Sequence, residues 1–236
     1  FKGKGMFRFI ATHPHLDHLS GLYRLFGQDC IPLTAFWDTN NDCEMSDKDF
    51  EGKQYDPKDW QEYKRLRQCT MNPKSLMLYR GDSNQYWRED NISILSPTAD
   101  LVANAKASKN WNVLSYVIKI TYGESSVLLT GDVDKEVALL DICKAYTESQ
   151  LKSTVLSAPH HGRDSGYYQP FVKAVDPACT IVSVGKKPET DASNKYGNYS
   201  KHVFSTRFQG TMRAECYESG QVVIFNHKGE EIAREP

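Results

Sequence analysis

The amino-acid sequence predicts an α/β fold. Short apolar runs with strand-like alternation are followed, several times along the chain, by stretches whose apolar residues recur at helical spacing. The 236 residues are 39% hydrophobic and 25% charged, which is enough apolar material to bury the core of one domain. The sequence contains no evident internal repeat or low-complexity segment. We therefore expect residues 1–236 to form a single α/β domain.

The first half of the chain is expected to contain four strands, at residues 6–12, 33–37, 76–80 and 92–95. A short helix should follow the first strand, on the helical spacing of Leu16, Leu19, Leu22 and Phe26. Asp56 and Pro57 indicate the start of another helix, because Asp is a favoured cap and Pro is tolerated in the first turn. The apolar face of that helix is formed by Trp60, Tyr63 and Leu66.

The second half of the chain is expected to begin with a hairpin formed by residues 113–121 and 125–130. A helix is expected over residues 134–146, where apolar residues again recur at helical spacing. The remaining strands are predicted at residues 153–156, 180–184, 212–217 and 221–226, the last two as a second hairpin.

An acidic segment interrupts this pattern. Residues 38–62 contain nine acidic residues against three lysines, with little apolar content. We interpret the segment as a surface excursion and expect an acidic insertion around residues 38–75. Such a patch could bind a protein partner through its charge.

The composition excludes several classes of protein. The net charge of −1 excludes a strongly basic DNA-coating protein, although a local basic groove stays compatible with it. No apolar run approaches the roughly 20 residues that a membrane-spanning helix needs. The six cysteines are scattered without a CxxC pair, which indicates free thiols of a reducing compartment. We therefore expect a cytoplasmic protein with no membrane segment in this chain.

The strongest functional motif follows the first strand and reads His13-Pro14-His15-Leu16-Asp17-His18. Four potential metal ligands fall within six residues. His13 and His15 share one side of an extended segment, and Asp17 and His18 then project from the first turn of a helix. Imidazole suits zinc, manganese or iron, and the carboxylate adds hard-oxygen character. The alternative is a polar loop in which Asp17 only caps the helix.

Two further motifs follow apolar strands. Asp132 ends the run Leu129-Thr130-Gly131-Asp132, where one carboxylate could bridge two cations, although Asp is also a common helix cap. His160 and His161 lie in Pro159-His160-His161-Gly162. Adjacent histidines point in different directions, so one is expected to bind metal while the other orients a phosphate or acts as an acid. A purely structural histidine pair is the alternative.

Together these motifs resemble the metallo-β-lactamase superfamily, and most closely its competence-type (ComEC-like) branch. That branch has an Asn-x-x-Ser segment, a Leu-Thr-Gly-Asp strand and a Pro-His-His-Gly loop in this order. The corresponding residues here are Asn112 to Ser115, Leu129 to Asp132 and Pro159 to Gly162. The resemblance implies an αββα sandwich, in which two packed mixed β-sheets are flanked by helices and the metals lie at one sheet edge.

The resemblance also implies a site for two divalent metal ions, zinc or manganese. It places His13 and His15 on one ion, Asp17 and His18 on the other, and Asp132 between them. In the Pro159–Gly162 loop, the resemblance favours His161 as the metal ligand, and His160 is the alternative. The catalytic residues implied are Asp17, Asp132 and His160, and Asn112 and Ser115 are expected at the substrate site.

Two departures from the superfamily pattern are visible. Asn112 stands where many members have a third histidine for the first metal, and an amide oxygen is the harder and weaker ligand. Only about a dozen residues precede His13, whereas the superfamily has several strands there. We expect those N-terminal strands to be missing from this chain or replaced by another segment, which could also involve a partner.

Residues 186–213 suggest the substrate. Lys186, Lys187, Lys195, Lys201, Arg207 and Arg213 outnumber the two acidic residues of this stretch, Glu189 and Asp191. Tyrosines lie among them, His202 follows Lys201, and Arg163 adjoins the histidine loop. Basic residues interleaved with aromatic ones suit a nucleic-acid strand, although a solvated surface loop has the same composition. We assign substrate binding to Arg163, Lys186, Lys187, Lys201 and His202.

The sequence leaves three functions open. The first is a metal-dependent phosphodiesterase or nuclease that acts on DNA or RNA through a dinuclear metal-activated hydroxide, in DNA processing or anti-phage defence. The second is a hydrolase of a small phosphodiester or ester. The third is a metal-binding regulatory or scaffold subunit. The acidic insertion is compatible with it, because such a patch could bind a partner, whereas the complete set of metal ligands argues against it. We expect the first.

Overall fold

A computed structural model describes residues 4–186 and 188–236 of the chain. The described residues form three β-sheets, and the first is a parallel sheet of three strands in the order β1-β2-β3. Its strands are β1 (Met6–Ile10), β2 (Leu33–Asp38) and β3 (Lys74–Met77). The first two were predicted from the sequence, and β3 lies slightly earlier than its predicted position. Lys187, which the sequence assigned to substrate binding, lies outside the described residues.

The largest sheet has six strands in sequence order. They are β4 (Ile92–Ser96), β5 (Val117–Tyr122), β6 (Ser125–Leu129), β7 (Val155–Ser157), β8 (Cys179–Val182) and β9 (His202–Ser205). The β4–β5 and β5–β6 pairs are antiparallel, and the pairs from β6 to β9 are parallel. The carboxyl ends of β6, β7, β8 and β9 therefore lie at one edge of this sheet.

The third sheet is antiparallel and consists of β10 (Arg213–Cys216), β11 (Val222–Phe225) and β12 (Glu231–Glu235). Its core residues Val222, Ile224 and Ala233 pack with Val155 and Cys179 of the large sheet. The first sheet packs against another part of the large sheet through a cluster that contains Trp37, Ile94, Tyr116 and Ile118. The two small sheets are thus packed on the large one.

Helices cover the outer faces of this sandwich. The helices are α1 (Leu16–Leu19), α2 (Pro57–Gln68), α3 (Gln85–Arg88), α4 (Ala99–Ser108), α5 (Ala138–Ala145), α6 (Glu148–Leu151), α7 (Gln169–Val175), α8 (Ser193–Tyr196) and α9 (Thr206–Gln209). Residues of α1, α2 and α4 share a core with the first sheet, and those of α5 and α7 share one with the large sheet. The arrangement is α/β with mixed sheets flanked by helices, which is compatible with an αββα sandwich. Within the described ranges, no helix is long and apolar enough to cross a membrane.

Three predictions about element bounds were wrong. The strand expected at 113–121 begins only at Val117, because Trp111–Leu114 forms a 3₁₀ turn that precedes it. The helix expected to span Leu16 to Phe26 is split at Gly21, whose φ of +94° is incompatible with a continuing right-handed helix, and a π-helical turn follows at Tyr23–Gln28. The helix expected over residues 134–146 is shorter and spans Ala138–Ala145.

The acidic segment is exposed in its middle and buried at its ends. Most residues between 44 and 54 are exposed, whereas the side chain of Asp38 is fully buried. Asp38 accepts a hydrogen bond of 2.7 Å from the Tyr63 hydroxyl and pairs with the Arg67 guanidinium at 3.1 Å. The surface excursion therefore covers only part of residues 38–62, and the insertion around 38–75 stays a prediction.

Asp59 of α2 forms hydrogen bonds with the segment between α1 and the π-helical turn. Its carboxylate oxygens accept hydrogen bonds from the backbone N–H groups of Gly21 (2.9 Å) and Tyr23 (2.8 Å). These donors belong to the point where α1 ends and the π-helical turn begins. A buried carboxylate thus replaces the missing helical acceptors.

We predict that Asp59→Ala lowers the free energy of unfolding by about 1–3 kcal/mol, because two partly buried N–H groups lose their acceptor. Urea unfolding followed by circular dichroism measures this change. Asp47→Ala, at an exposed acid of the same segment, is the matched control and should leave stability within about 0.5 kcal/mol. Equal stability of the two variants would contradict the role of Asp59.

Candidate metal centre

The chemistry-bearing motifs meet at the carboxyl ends of strands in two sheets. His13 and His15 follow β1, and α1 begins directly after them. Asp132 follows β6, and the Pro159–Gly162 turn that carries His160 and His161 follows β7. Loops at the carboxyl edge of a sheet are where α/β proteins place their ligands. Residues more than 140 positions apart in sequence are therefore brought into contact.

A glycine allows the close approach of the first two segments. Gly131 has a φ of +52°, and a Cβ on it would lie 3.2 Å from the Cβ atoms of both Thr12 and Ser115. The Asp132 N–H donates to the Ser115 hydroxyl at 3.3 Å, and the His160 N–H donates to the Gly131 carbonyl at 3.1 Å. The end of β6 is thus fixed to both neighbouring loops.

The histidine loop has an unusual backbone. His160 (φ 48°, ψ 48°) and His161 (φ 56°, ψ 25°) both adopt the left-handed conformation, which costs a non-glycine residue roughly 1–2 kcal/mol. A Cβ on Gly162 would lie 2.8 Å from the Val182 side chain, so β8 packs directly under the turn. The two imidazole rings diverge, with centroids 6.3 Å apart.

Four side chains converge on one point. One ligand atom from each of Asp17, His18, Asp132 and His161 lies within 4.8 Å of all the others. The Nε2 atoms of His18 and His161 are 3.3 Å apart. Asp132 lies 3.3 Å from His18 Nε2 through Oδ1 and 3.4 Å from His161 Nε2 through Oδ2. Two imidazole nitrogens and two carboxylates within this volume form a cluster that could hold a metal ion.

A second group of nitrogens adjoins this cluster. His13 Nε2 lies 3.1 Å from His15 Nδ1 and 3.9 Å from Oδ2 of Asp132. Thr12 Oγ1 is 3.1 Å from His13 Nδ1 and orients that buried ring. Asp132 therefore contacts both groups of histidines. The Asn112 side-chain oxygen is buried and has no hydrogen-bond partner among the described residues, which is uncommon for a buried polar atom.

The electrostatics of the cluster favour a positive charge between the carboxylates. Burial opposes ionisation of Asp132, but hydrogen bonds from His161 and His18 outweigh it and hold the pKa of this carboxyl well below its usual range. The nearby carboxylates of Asp132 and Asp17 raise the pKa of His161 to about 10. Burial, aided by the charge of His18, lowers the pKa of His13 to about 3. The ring of His13 is therefore neutral, and a neutral imidazole is the form that metal ligation requires.

The other predicted substrate residues fall at two different places. Arg163 is exposed beside Gly162, and Lys186 is exposed after β8, so both lie at the edge that carries the cluster. Lys201 and His202 are at the beginning of β9, which runs parallel to β8, and therefore at the opposite edge. There they pair with Glu235 at 2.6 Å and 2.8 Å. The structure does not bring these two residues to the cluster.

Sequence reasoning missed two residues near this edge. Phe208 in α9 follows the carboxyl end of β9, and 75% of its surface is exposed, with the Arg207 guanidinium 5.1 Å from its ring centre. The sequence offered no signal, because a phenylalanine is normally expected in the core. Ser165 lies 2.7 Å from His160 Nδ1 through its hydroxyl. Its position after the histidine loop was visible in sequence, but the contact depends on the fold of that loop.

Comparisons with known proteins give two weak relatives. The chain is 26% identical over 120 residues to an uncharacterized protein, YcaI, of Escherichia coli (strain K12), a match that covers 50% of this chain and 15% of the relative. It is 26% identical over 149 residues to ComE operon protein 3 of Bacillus subtilis (strain 168), which covers 63% of this chain and 17% of the relative. The chain thus matches less than a fifth of each relative's length. No family model matches the chain.

We predict that Asp132→Asn weakens metal binding at least ~100-fold, because the carboxylate that contacts both groups of histidines is lost. Elemental analysis after loading with zinc or manganese and gel filtration measures retained metal. Glu136→Gln, at an exposed acid of the next turn, is the matched control and should retain metal like the unmodified chain. Equal retention by both variants would remove Asp132 from the centre.

Proposed function

We propose that the chain is a metal-dependent hydrolase of the metallo-β-lactamase superfamily that cleaves phosphodiester bonds in nucleic acid. The observation that carries the proposal is the convergence of Asp17, His18, Asp132 and His161, with His13 and His15 adjoining them. The weak similarity to ComE operon protein 3 supports the competence-type branch of that superfamily.

In this proposal the centre holds two divalent ions, zinc or manganese. His13 and His15 bind the first, with the unpartnered Asn112 oxygen as a further ligand or substrate contact. Asp17, His18 and His161 bind the second, and Asp132 contacts both. When bound, such cations supply water activation near neutral pH and stabilise charge on the attacked phosphoryl group.

Asp17 orients the attacking water. The imidazole of His161, whose Nε2 lies 3.7 Å from Asp17 Oδ2, lowers the pKa of Asp17 to about 2, so this carboxylate is ionised at neutral pH. Its side chain is 49% exposed, whereas that of Asp132 is 5% exposed, so Asp17 offers an oxygen to solvent and Asp132 does not. A carboxylate in that position accepts a hydrogen bond from water and directs a lone pair of the water oxygen toward phosphorus.

A nucleic-acid strand fits the surface beside the centre. Arg163, Lys186 and Arg207 are positively charged and lie at the same sheet edge, where they suit phosphates. The exposed ring of Phe208 gives an unpaired base a face on which to stack. The proposed substrate is therefore a nucleic acid with at least one unpaired stretch.

We predict that Asp17→Ala lowers turnover at least ~100-fold and leaves the fold intact, because a half-exposed side chain that positions the nucleophile is lost. The measurement is cleavage of labelled single- and double-stranded DNA and RNA with Mn²⁺, Zn²⁺ or Mg²⁺ added singly. Asp100→Ala, at an exposed acid of α4, is the control. Full turnover by the Asp17 variant on every substrate would remove it from the reaction.

We predict that a double variant, Arg163→Ala with Arg207→Ala, binds nucleic acid more weakly and with a log–log salt slope smaller by about 1.5, as expected for two lost phosphate contacts. The matched double control is Lys152→Ala with Lys201→Ala, since both lysines line a cavity at the opposite sheet edge. Fluorescence anisotropy at several salt concentrations measures both. Equal slopes for the two doubles would place the strand elsewhere.

We predict that Phe208→Ala weakens binding of single-stranded oligonucleotides by about 1–3 kcal/mol and leaves hydrolysis of a small phosphodiester unchanged, because only the oligonucleotide has a base to stack. Tyr122→Ala, at an exposed aromatic residue of the β5–β6 hairpin, is the control. Cleavage of the small phosphodiester without any cleavage of nucleic acid would instead indicate a small-molecule hydrolase.

A further inference from the structure

We propose that Ser165 is a positioning residue that holds His160 with a proton on Nε2, so that His160 donates a hydrogen bond to a phosphoryl oxygen of the substrate and does not bind metal. This inference rests on the proposed function for its substrate. It assigns different roles to the two neighbouring histidines of the turn after β7.

The two histidines face different partners. His161 Nε2 lies 3.4 Å from Asp132 and 3.7 Å from Asp17, and it belongs to the four-residue cluster. His160 Nε2 lies 3.8 Å from Asp132 Oδ2, which is beyond hydrogen-bond distance. The other nitrogen of His160, Nδ1, is 2.7 Å from the Ser165 hydroxyl oxygen. Of these two histidines, His160 is therefore the one that has a partner outside the cluster, among the described residues, that fixes its ring.

The surroundings select one tautomer of His160. A neutral imidazole has one N–H and one acceptor nitrogen. Nε2 faces the Asp132 carboxylate, which attracts the proton to that nitrogen, and Nδ1 then accepts from the Ser165 hydroxyl. With a proton on Nε2, this nitrogen has no lone pair for a metal.

The loop that carries Ser165 is rigidly held against the histidine turn. A Cβ on Gly166 would collide with the Pro159 carbonyl and lie 2.8 Å from the His160 Cβ. The Ser165 carbonyl accepts a hydrogen bond of 2.8 Å from the Lys135 N–H. The Asp164 carboxylate pairs with Lys135 at 2.6 Å and with Lys195 at 2.7 Å. The hydroxyl is therefore kept in position before any substrate arrives.

The chemical role that fits a neutral histidine is hydrogen-bond donation without proton transfer. Loss of the Nε2 proton would leave an imidazolate, so His160 is a poor acid in this state, but it can stabilise negative charge that develops on a phosphoryl oxygen. Its side chain is 17% exposed, so a substrate oxygen can reach Nε2 from solvent. Ser165 acts through His160 and contacts no reacting atom.

The decisive measurement needs no substrate. In the zinc-loaded protein labelled with ¹⁵N-histidine, long-range ¹H–¹⁵N correlation should give His160 the signature of a protonated Nε2 and an acceptor Nδ1. In Ser165→Ala the Nδ1 signal should move toward that of a free acceptor, and Ser165→Thr should restore it. A zinc-bound His160 Nε2, or a proton on Nδ1, in the unmodified chain would overturn the proposal.

Kinetics provide the second readout. Ser165→Ala should lower kcat about 10- to 100-fold with KM within about twofold and the same zinc content, and Ser165→Thr should recover most of the loss. Ser219→Ala, at an exposed serine in the β10–β11 turn, should match the unmodified chain. An unchanged kcat in Ser165→Ala overturns the positioning role. If no phosphodiester is cleaved by any form, the proposed function fails, and the tautomer measurement still decides the state of His160.

Discussion

The burial of the Asp132 carboxylate is the constraint on which the rest of the site depends. A buried negative charge is tolerated only when hydrogen bonds and positive charge surround it. Here His13, His18, His160 and His161 all lie within 4 Å of its oxygens. His18 lies in α1, and the other three lie in the segments that directly follow β1 and β7. The fold brings these loops together because β1, β6 and β7 end at the same side of the sandwich. The geometry of the possible metal-binding cluster and the stability of the fold around it therefore depend on the same group of contacts.

The sequence predicted the residues of the cluster more reliably than the bounds of the elements that carry them. The His13–His18 segment could be interpreted because its ligands are close in sequence and follow an apolar strand. The two hairpins and the start of α2 at Asp56 and Pro57 were also predicted from residues that are close in sequence, and the structure contains them. The 3₁₀ turn Trp111–Leu114 was missed because its apolar residues also fit a strand. These residues are buried in the core that contains residues of α1, α2 and α4, and the sequence does not show that packing.

The positions of the basic residues were harder to predict, because the sequence of a loop does not show which edge of the sheet each residue reaches. Lys186 and Lys201 are separated by one helix, α8, and that crossover moves the chain from the carboxyl edge of β8 to the amino edge of β9. Their charge alone placed both lysines in one groove, whereas the parallel pairing of β8 with β9 puts them at opposite edges of the sheet. The exposure of Phe208 could not be predicted from the sequence either, because it depends on how α9 packs on the sheet. Pairing direction and exposure are properties of the whole fold.

The left-handed backbone of His160 and His161 also bears on how the chain could evolve. Glycine or asparagine would occupy both positions with less strain, so selection for thermal robustness alone would remove these imidazoles. Their presence means that the chain has kept an intrinsically unfavourable turn of roughly 2–4 kcal/mol, taken over both residues. A descendant with either histidine replaced would have a less strained turn and would lose one imidazole near Asp132. At this turn, therefore, backbone stability and the presence of two imidazoles beside a buried carboxylate oppose each other.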